Sequence, residues 1–210
     1  MEIQFFGGNC VRLSTKSASI IVDDNLKELG LSTVTKPGEV ALFTGPHEGE
    51  VAVDTKMVID RAGEYEVSNV SIHGVPVRSH MDEAGKKTAV IYKLTVEDYR
   101  IAIVGHVHPD INEDQLETIG MVDILFVPVG GNGFTLDGPG ALKVIRKIEP
   151  KLVIPTHYAD PKVNYPVEQQ DLETALKNMS IEPKETLDRL KLKPTDIGDT
   201  MQLIVLNRES

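Results

Sequence analysis

Two stretches decide how this 210-residue chain folds: Val122-Asp123-Ile124-Leu125-Phe126-Val127-Pro128-Val129-Gly130-Gly131 and Val153-Ile154-Pro155-Thr156-His157-Tyr158. The first is a short apolar run closed by two glycines, the pattern of a strand buried on both faces. The second is another short apolar run, cut by Pro155 and followed at once by a histidine. Between them, residues 139–148 read as a helix, with a proline early in it and Pro150 just past its end. Strand, helix, strand with short connections is the unit of a layered α/β domain, and it leaves His157 at a strand end.

The same reading extends in both directions. Upstream, strands are expected over 3–6, 11–14, 19–22, 40–43, 57–59, 64–67, 70–72, 73–77, 88–94 and 99–104. Gly7-Gly8-Asn9 turns the first hairpin. Residues 113–119 read as a helix that ends at Gly120. Downstream, helices are expected over 167–178 and 184–190, and a last strand over 201–206. Strands first, then alternating strand and helix, then a closing strand predict mixed sheets in layers. No repeat, low-complexity tract or linker interrupts residues 1–210, which therefore read as one domain.

Composition narrows the function. The chain carries 32 acidic against 22 basic residues, a net charge of −10. Such a balance repels phosphate backbones, so a nucleic-acid partner is not expected. Gly130-Gly131-Asn132-Gly133 lacks the Lys-Ser/Thr of a phosphate loop and reads as a turn. No apolar run approaches the roughly 20 residues of a membrane span, and the N-terminus does not resemble a signal peptide. One cysteine, Cys10, excludes an intramolecular disulfide and begins a strand pattern, which makes it a small buried residue rather than a nucleophile. The expected address is the cytoplasm, the expected partner a small-molecule substrate, and a homo-oligomer stays open.

The six histidines carry the chemistry. His47, His80, His106, His108 and His157 each follow an apolar run within a few residues, whereas His73 lies inside a strand pattern. Loops at one edge of layered sheets gather functional side chains. Imidazole is a common ligand for zinc, whose catalytic sites pair about three protein ligands with an open position. Converging strand-end histidines therefore point to a metal pocket. Tyr158 is placed either to line it or to pack, and Asp137 and Asn132 either to touch substrate or to cap the following helix.

These residues resemble small bacterial members of the metallo-β-lactamase fold superfamily. The two opening stretches carry the resemblance, together with Ile3-Gln4-Phe5-Phe6-Gly7-Gly8-Asn9, Ile20-Ile21-Val22-Asp23, Ala62-Gly63-Glu64-Tyr65-Glu66-Val67 and Val70-Ser71-Ile72-His73-Gly74-Val75-Pro76. The resemblance implies an αββα sandwich with four layers and a one- or two-metal site. Members hydrolyse esters, amides, thioesters or phosphodiesters with a metal-bound water.

The superfamily signature Thr-His-x-His-x-Asp-His is altered here to Thr44-Gly45-Pro46-His47-Glu48-Gly49-Glu50. Glycine stands for the first His and for the Asp, and Glu50 for the last His. Ser79-His80-Met81-Asp82 loosely matches the next ligand motif. Ile103-Val104-Gly105-His106 has His106 where relatives have a metal-bridging Asp. An imidazole offers one lone pair to one metal, so two bridged ions are not expected. The resemblance implies a ligand set of His47, His80, His106 and His157 around one ion, zinc first, with iron, nickel or copper open. Glu50, Asp82 and Asp110 are the candidate bases, and Asp23 is expected to support the loops. Two functions follow: a mononuclear metal-dependent hydrolase, or a non-catalytic binding or structural relative with or without metal.

Overall fold

The computed structural model describes residues 1–47, 51 and 54–209. Its strands form two sheets. The six-stranded sheet holds β1 (Glu2–Gly7), β2 (Cys10–Ser14), β3 (Ser19–Val22), β4 (Val40–Leu42), β5 (Met57–Ile59) and β13 (Leu190–Lys191), in the order β13-β1-β2-β3-β4-β5. The eight-stranded sheet holds β6 (Gly63–Val67), β7 (Val70–Val77), β8 (Ala89–Val96), β9 (Tyr99–Ile103), β10 (Ile124–Pro128), β11 (Leu152–Thr156), β12 (Glu185–Leu187) and β14 (Gln202–Leu206). Its order is β12-β14-β11-β10-β9-β8-β7-β6.

Alternation along the strands sends two sets of apolar side chains to opposite faces. Ile3, Leu13, Ile20 and Leu42 of the first sheet meet Ile72, Tyr92, Ile101, Phe126 and Ile154 of the second in one buried cluster. The other face of the eight-stranded sheet, through Ile91, Ala102, Leu125, Val127 and Val153, packs against three helices: α1 (Glu113–Ile119), α2 (Gly138–Ile148) and α3 (Leu172–Met179). This explains why the 122–131 stretch has no polar face. The outer face of the six-stranded sheet buries Phe6, Cys10, Ile21, Ala41 and Phe43 with Leu26, beneath a run of turns that follows β3. Two facing sheets with outer coverings are the expected sandwich.

Cys10 is fully buried, and that burial pushes its thiol well above the ordinary value, so it is a packing residue. One buried ion pair ties the edge of this layer. Arg12 Nε donates to Glu39 Oε1 at 2.7 Å, and both side chains are almost wholly enclosed.

Two expected helices differ. Residues 184–190 form no helix. Glu185, Thr186 and Leu187 pair in parallel with Ile204, Val205 and Leu206, so strand pairing overrides the helical propensity of Lys-Glu-Thr-Leu. The expected helix over 167–178 is only its second half. Asp171 Oδ1 caps Thr174 N at 2.8 Å and starts α3 there. The residues preceding it form no helix, which leaves Gln169 for the site described below.

In the first sheet β3, β4 and β5 run parallel, and in the second β9, β10, β11 and β14 do. Their C-terminal ends therefore collect at one edge of each layer. Asp23, the Thr44–His47 segment, His106, Gly130 and His157 each follow one of these ends.

Asp137 is an N-cap: its Oδ1 accepts from Gly140 N at 2.8 Å and opens α2. Asp137→Ala is expected to lower stability by about 1 kcal/mol, read by urea denaturation, without changing the site. A loss near zero would show that α2 is held by packing alone.

Candidate functional site

The sheet edge is joined across the layers by Thr44. Its backbone N donates to Asp23 Oδ1 at 2.7 Å and its hydroxyl to Asp23 Oδ2 at 2.6 Å, while its carbonyl accepts from Val90 N at 2.8 Å. Gly105 is needed beside it, because a Cβ there would lie 1.9 Å from Thr44 Oγ1. Asp23 is 7% exposed, and burial outweighs the two Thr44 bonds to raise its carboxyl to about 6. Asp23 and His157 both adopt left-handed backbone, at φ 46° and 52°. Non-glycine residues held there are strained, which is a frequent property of functional positions.

Of the four predicted ligands, His106 and His157 come together. Their ring centroids lie 4.5 Å apart, edge to face. Each ring has its Nδ1 committed to an acceptor. His106 Nδ1 lies 3.3 Å from the Phe134 carbonyl oxygen, which can only accept. His157 Nδ1 lies 3.0 Å from Gln169 Oε1. The Gln169 amide is itself oriented, since its Nε2 donates to Val167 O at 2.7 Å. Both Nδ1 atoms therefore carry the proton, and both Nε2 atoms keep a lone pair. Burial lowers both rings, His157 to about 3 with a further push from His106, so the pair is neutral at physiological pH.

His157 is further held by the opening hairpin and a tyrosine. Its N donates to Gly8 O at 2.8 Å, and the Tyr165 ring lies 4.8 Å from its own. Gly130 passes so close that a Cβ would lie 2.1 Å from His157 O and 2.2 Å from Gln169 Oε1.

The remaining candidates stand apart from this pair. His80 follows β7, and its backbone N donates to His106 O at 2.8 Å. Its ring lies 6.0 Å from that of His108, and its buried Nδ1 makes no hydrogen bond. His47 stacks on Phe43 with centroids 3.6 Å apart and an uncommitted, buried Nε2. His108 is lowered by burial and faces Asp110 at 3.4 Å. His73 lies within β7, 4.0 Å from Glu64. The Asp82 carboxylate closes a turn, accepting from Ser79 N at 2.8 Å and Thr88 N at 2.9 Å. Asp110 is paired with Lys143, whose hydrogen bond holds it below the usual range. Glu50 lies outside the described residues. Tyr158 packs, with its hydroxyl donating to Leu206 O at 3.1 Å.

Asn9, Asp23, Asn25, Glu28, Leu29, His106, Phe134, His157, Asn164 and Pro166 enclose a cleft of about 320 Å³. A larger groove of about 860 Å³ beside α3 brings no histidine to its walls.

The chemistry of the pair fits a divalent metal ion. Two neutral imidazoles with their second nitrogens anchored to oxygen acceptors are the arrangement in which histidine ligands are pre-oriented. His80 and His47 bring further uncommitted ring nitrogens. Among the described residues, no three His, Cys, Asp or Glu side chains converge as a ready ion-holding group.

Nothing local in the sequence marks Gln169, Tyr165 or Phe134 as part of the site. Gln169 lay hidden in an expected helix. Only the tight Gly130–Gly131 turn hinted that another backbone passes there.

A two-sheet sandwich with histidines and a buried aspartate at the ends of its parallel strands is the architecture of metallo-β-lactamase-type proteins. Residues 2–157 match the family described as the beta-lactamase superfamily domain, and the chain belongs to that family. A UPF0173 protein of Pyrococcus abyssi is 25% identical over 179 residues, which cover 75% of this chain and 83% of that protein. A UPF0173 metal-dependent hydrolase of Carboxydothermus hydrogenoformans is 54% identical over 43 residues, 20% of this chain and 19% of its own. The crystal structure of a Thermotoga maritima protein, assigned to the Zn-dependent hydrolases of the metallo-β-lactamase superfamily, superposes with a TM-score of 0.77. It is 23% identical and the match covers 99% of each chain. No helix among the described residues is long and apolar enough to cross a membrane.

Proposed function

We propose that this chain is a metal-dependent hydrolase acting on a small molecule in the cytoplasm, with one zinc ion held by His106 and His157. The observation that carries this reading is the fixed tautomer of both rings, each with Nδ1–H on an acceptor and Nε2 uncommitted. The names of the relatives, a metal-dependent hydrolase and a Zn-dependent hydrolase, support the same chemistry. His80 and His47 stand apart from the pair, and their unpaired ring nitrogens would have to move toward it to complete the ligand set.

When bound, zinc supplies a Lewis acid and a water of lowered pKa. The protein supplies the rest. Gln169 and the Phe134 carbonyl hold the two rings in the ligating tautomer. Asp23, on the cleft wall with its carboxyl pushed up to about 6 by burial, is the carboxyl nearest to hand for taking up and returning a proton. The cleft of about 320 Å³ suits a small molecule.

A second reading, a non-catalytic member of the family that binds without metal, is favoured by one observation: no third donor converges on the pair among the described residues. Metal content separates the two. Protein purified without chelator is expected to hold close to one zinc per chain, lost in His106→Ala and His157→Ala. Gln169→Leu is expected to keep the fold and weaken zinc about 10- to 100-fold, as for other partners of histidine ligands. Ester, thioester, lactam and phosphodiester substrates then test turnover. Failure to take up zinc, or equal uptake by the alanine variants, would leave the non-catalytic reading.

A further inference from the structure

Two residues that line the cleft each carry a buried side-chain amide atom with no partner in the fold. Asn9 is 7% exposed, and its Oδ1 accepts from Thr156 Oγ1 at 2.9 Å, which fixes the side chain. Its Nδ2 is buried and donates to nothing. Asn25 Oδ1 is buried and accepts from nothing. Both residues line the cleft that holds His106 and His157. Buried polar groups are nearly always paired, so an unpaired donor and an unpaired acceptor around one cleft mark a surface that a ligand completes.

Their chemistry defines the ligand. Asn9 Nδ2 calls for an acceptor such as a carbonyl oxygen, and Asn25 Oδ1 calls for an N–H donor. An amide carries both. Charge excludes the obvious alternatives. The cleft is walled by the carboxyl groups of Asp23 and Glu28, with no lysine or arginine among its lining residues. In the metal-free protein a carboxylate or phosphate would meet two acids and no cationic side chain. An ester offers a carbonyl but no donor.

We propose that Asn9 and Asn25 form a recognition subsite for an uncharged amide-bearing ligand, its carbonyl oxygen on Asn9 Nδ2 and its N–H toward Asn25 Oδ1. The subsite belongs to the cleft proposed above as the active site, but it operates without metal and is tested without it.

The probe is acetamide, titrated into ¹⁵N-labelled, chelator-treated full chain, with acetate and methyl acetate as comparisons. Saturable shifts of the Asn9 side-chain NH₂ signals and of the Asn25 resonances are expected, with a dissociation constant on the order of millimolar for so small a ligand. Acetate is expected to bind at least about tenfold more weakly, and methyl acetate between the two. Asn9→Asp keeps the size and the Thr156 bond but replaces the donor with an acceptor, and is expected to lose acetamide binding with its amide spectrum intact. Asn25→Ala is expected to weaken acetamide about tenfold and serves if Asn9→Asp does not fold. The proposal is overturned if acetamide leaves the Asn9 side-chain signals unmoved, if acetate binds as well as acetamide, or if both folded variants bind it like the parent. Loss of zinc binding with acetamide binding retained would refute the metal reading alone, and the reverse would refute this one alone.

Discussion

Gly130→Ala is expected to lower stability by about 3 kcal/mol and to weaken zinc binding at least tenfold. Gly130 does not need its glycine for backbone freedom, because its φ is not among the positive values of the chain. It needs the missing side chain. A Cβ would be 2.1 Å from the His157 carbonyl oxygen and 2.2 Å from Gln169 Oε1, far inside contact distance, and the nearer obstacle is backbone. The end of β10 must then move away from the end of β11, or Gln169 must leave His157. The carbonyl of Gly130 also accepts from Gln170 N at 2.7 Å, so a shift of this residue drags the Gln169 segment with it. Either route breaks the bond that fixes the His157 tautomer. Denaturation and zinc titration of the variant read both effects. Parent-like values in both would mean that the close approach is not required.

Glu39→Ala is expected to cost about 3–5 kcal/mol, because it leaves Arg12 charged, enclosed and unpaired. Four bonds converge on the Glu39 carboxylate: from Arg12 Nε and Ser19 Oγ at 2.7 Å to Oε1, and from Lys36 N at 2.7 Å and Arg12 Nη2 at 3.4 Å to Oε2. The guanidinium also lies 4.8 Å over the Phe6 ring. Burial pushes the Glu39 carboxyl up, but these hydrogen bonds outweigh it and hold the group below its usual range. A depressed folded pKa means that the unfolded chain binds the proton more tightly. The contribution is therefore complete above the unfolded value of about 4.3 and is lost as pH falls through the folded one. The gap between parent and Glu39→Ala is expected to be constant near neutrality and to narrow below about pH 4. A gap that widens on acidification would contradict this assignment.

Much of the sandwich was legible because its signals are local. The 122–131 and 153–158 stretches are apolar on both faces, and the structure buries both faces. His106 and His157 were legible as strand-end residues for the same reason. Long-range pairing was not legible. Lys184-Glu185-Thr186-Leu187 is a fair helix former, and only the neighbouring β14 makes it a strand. The extended segment that carries Gln169 could not be told from the helix it precedes, because its role depends on a contact with His157 twelve residues away. The sequence places Asp23 as a loop support, which its Thr44 bonds match, but its place on the cleft wall depends on how the two sheets meet. Asn9 was visible only as a turn residue. Its buried amide emerges when Thr156, 147 residues away, fixes the other end of the side chain.

The most direct measurement is ¹⁵N NMR of the histidine rings at neutral pH, before and after one equivalent of zinc. Both His106 and His157 are expected to show a protonated Nδ1 and an unprotonated Nε2. His157 is expected to stay neutral to well below pH 5, and zinc is expected to shift the Nε2 signals of both rings together. A protonated Nε2 on either ring, or Nε2 signals that zinc leaves unmoved, would contradict a metal centre built on this pair.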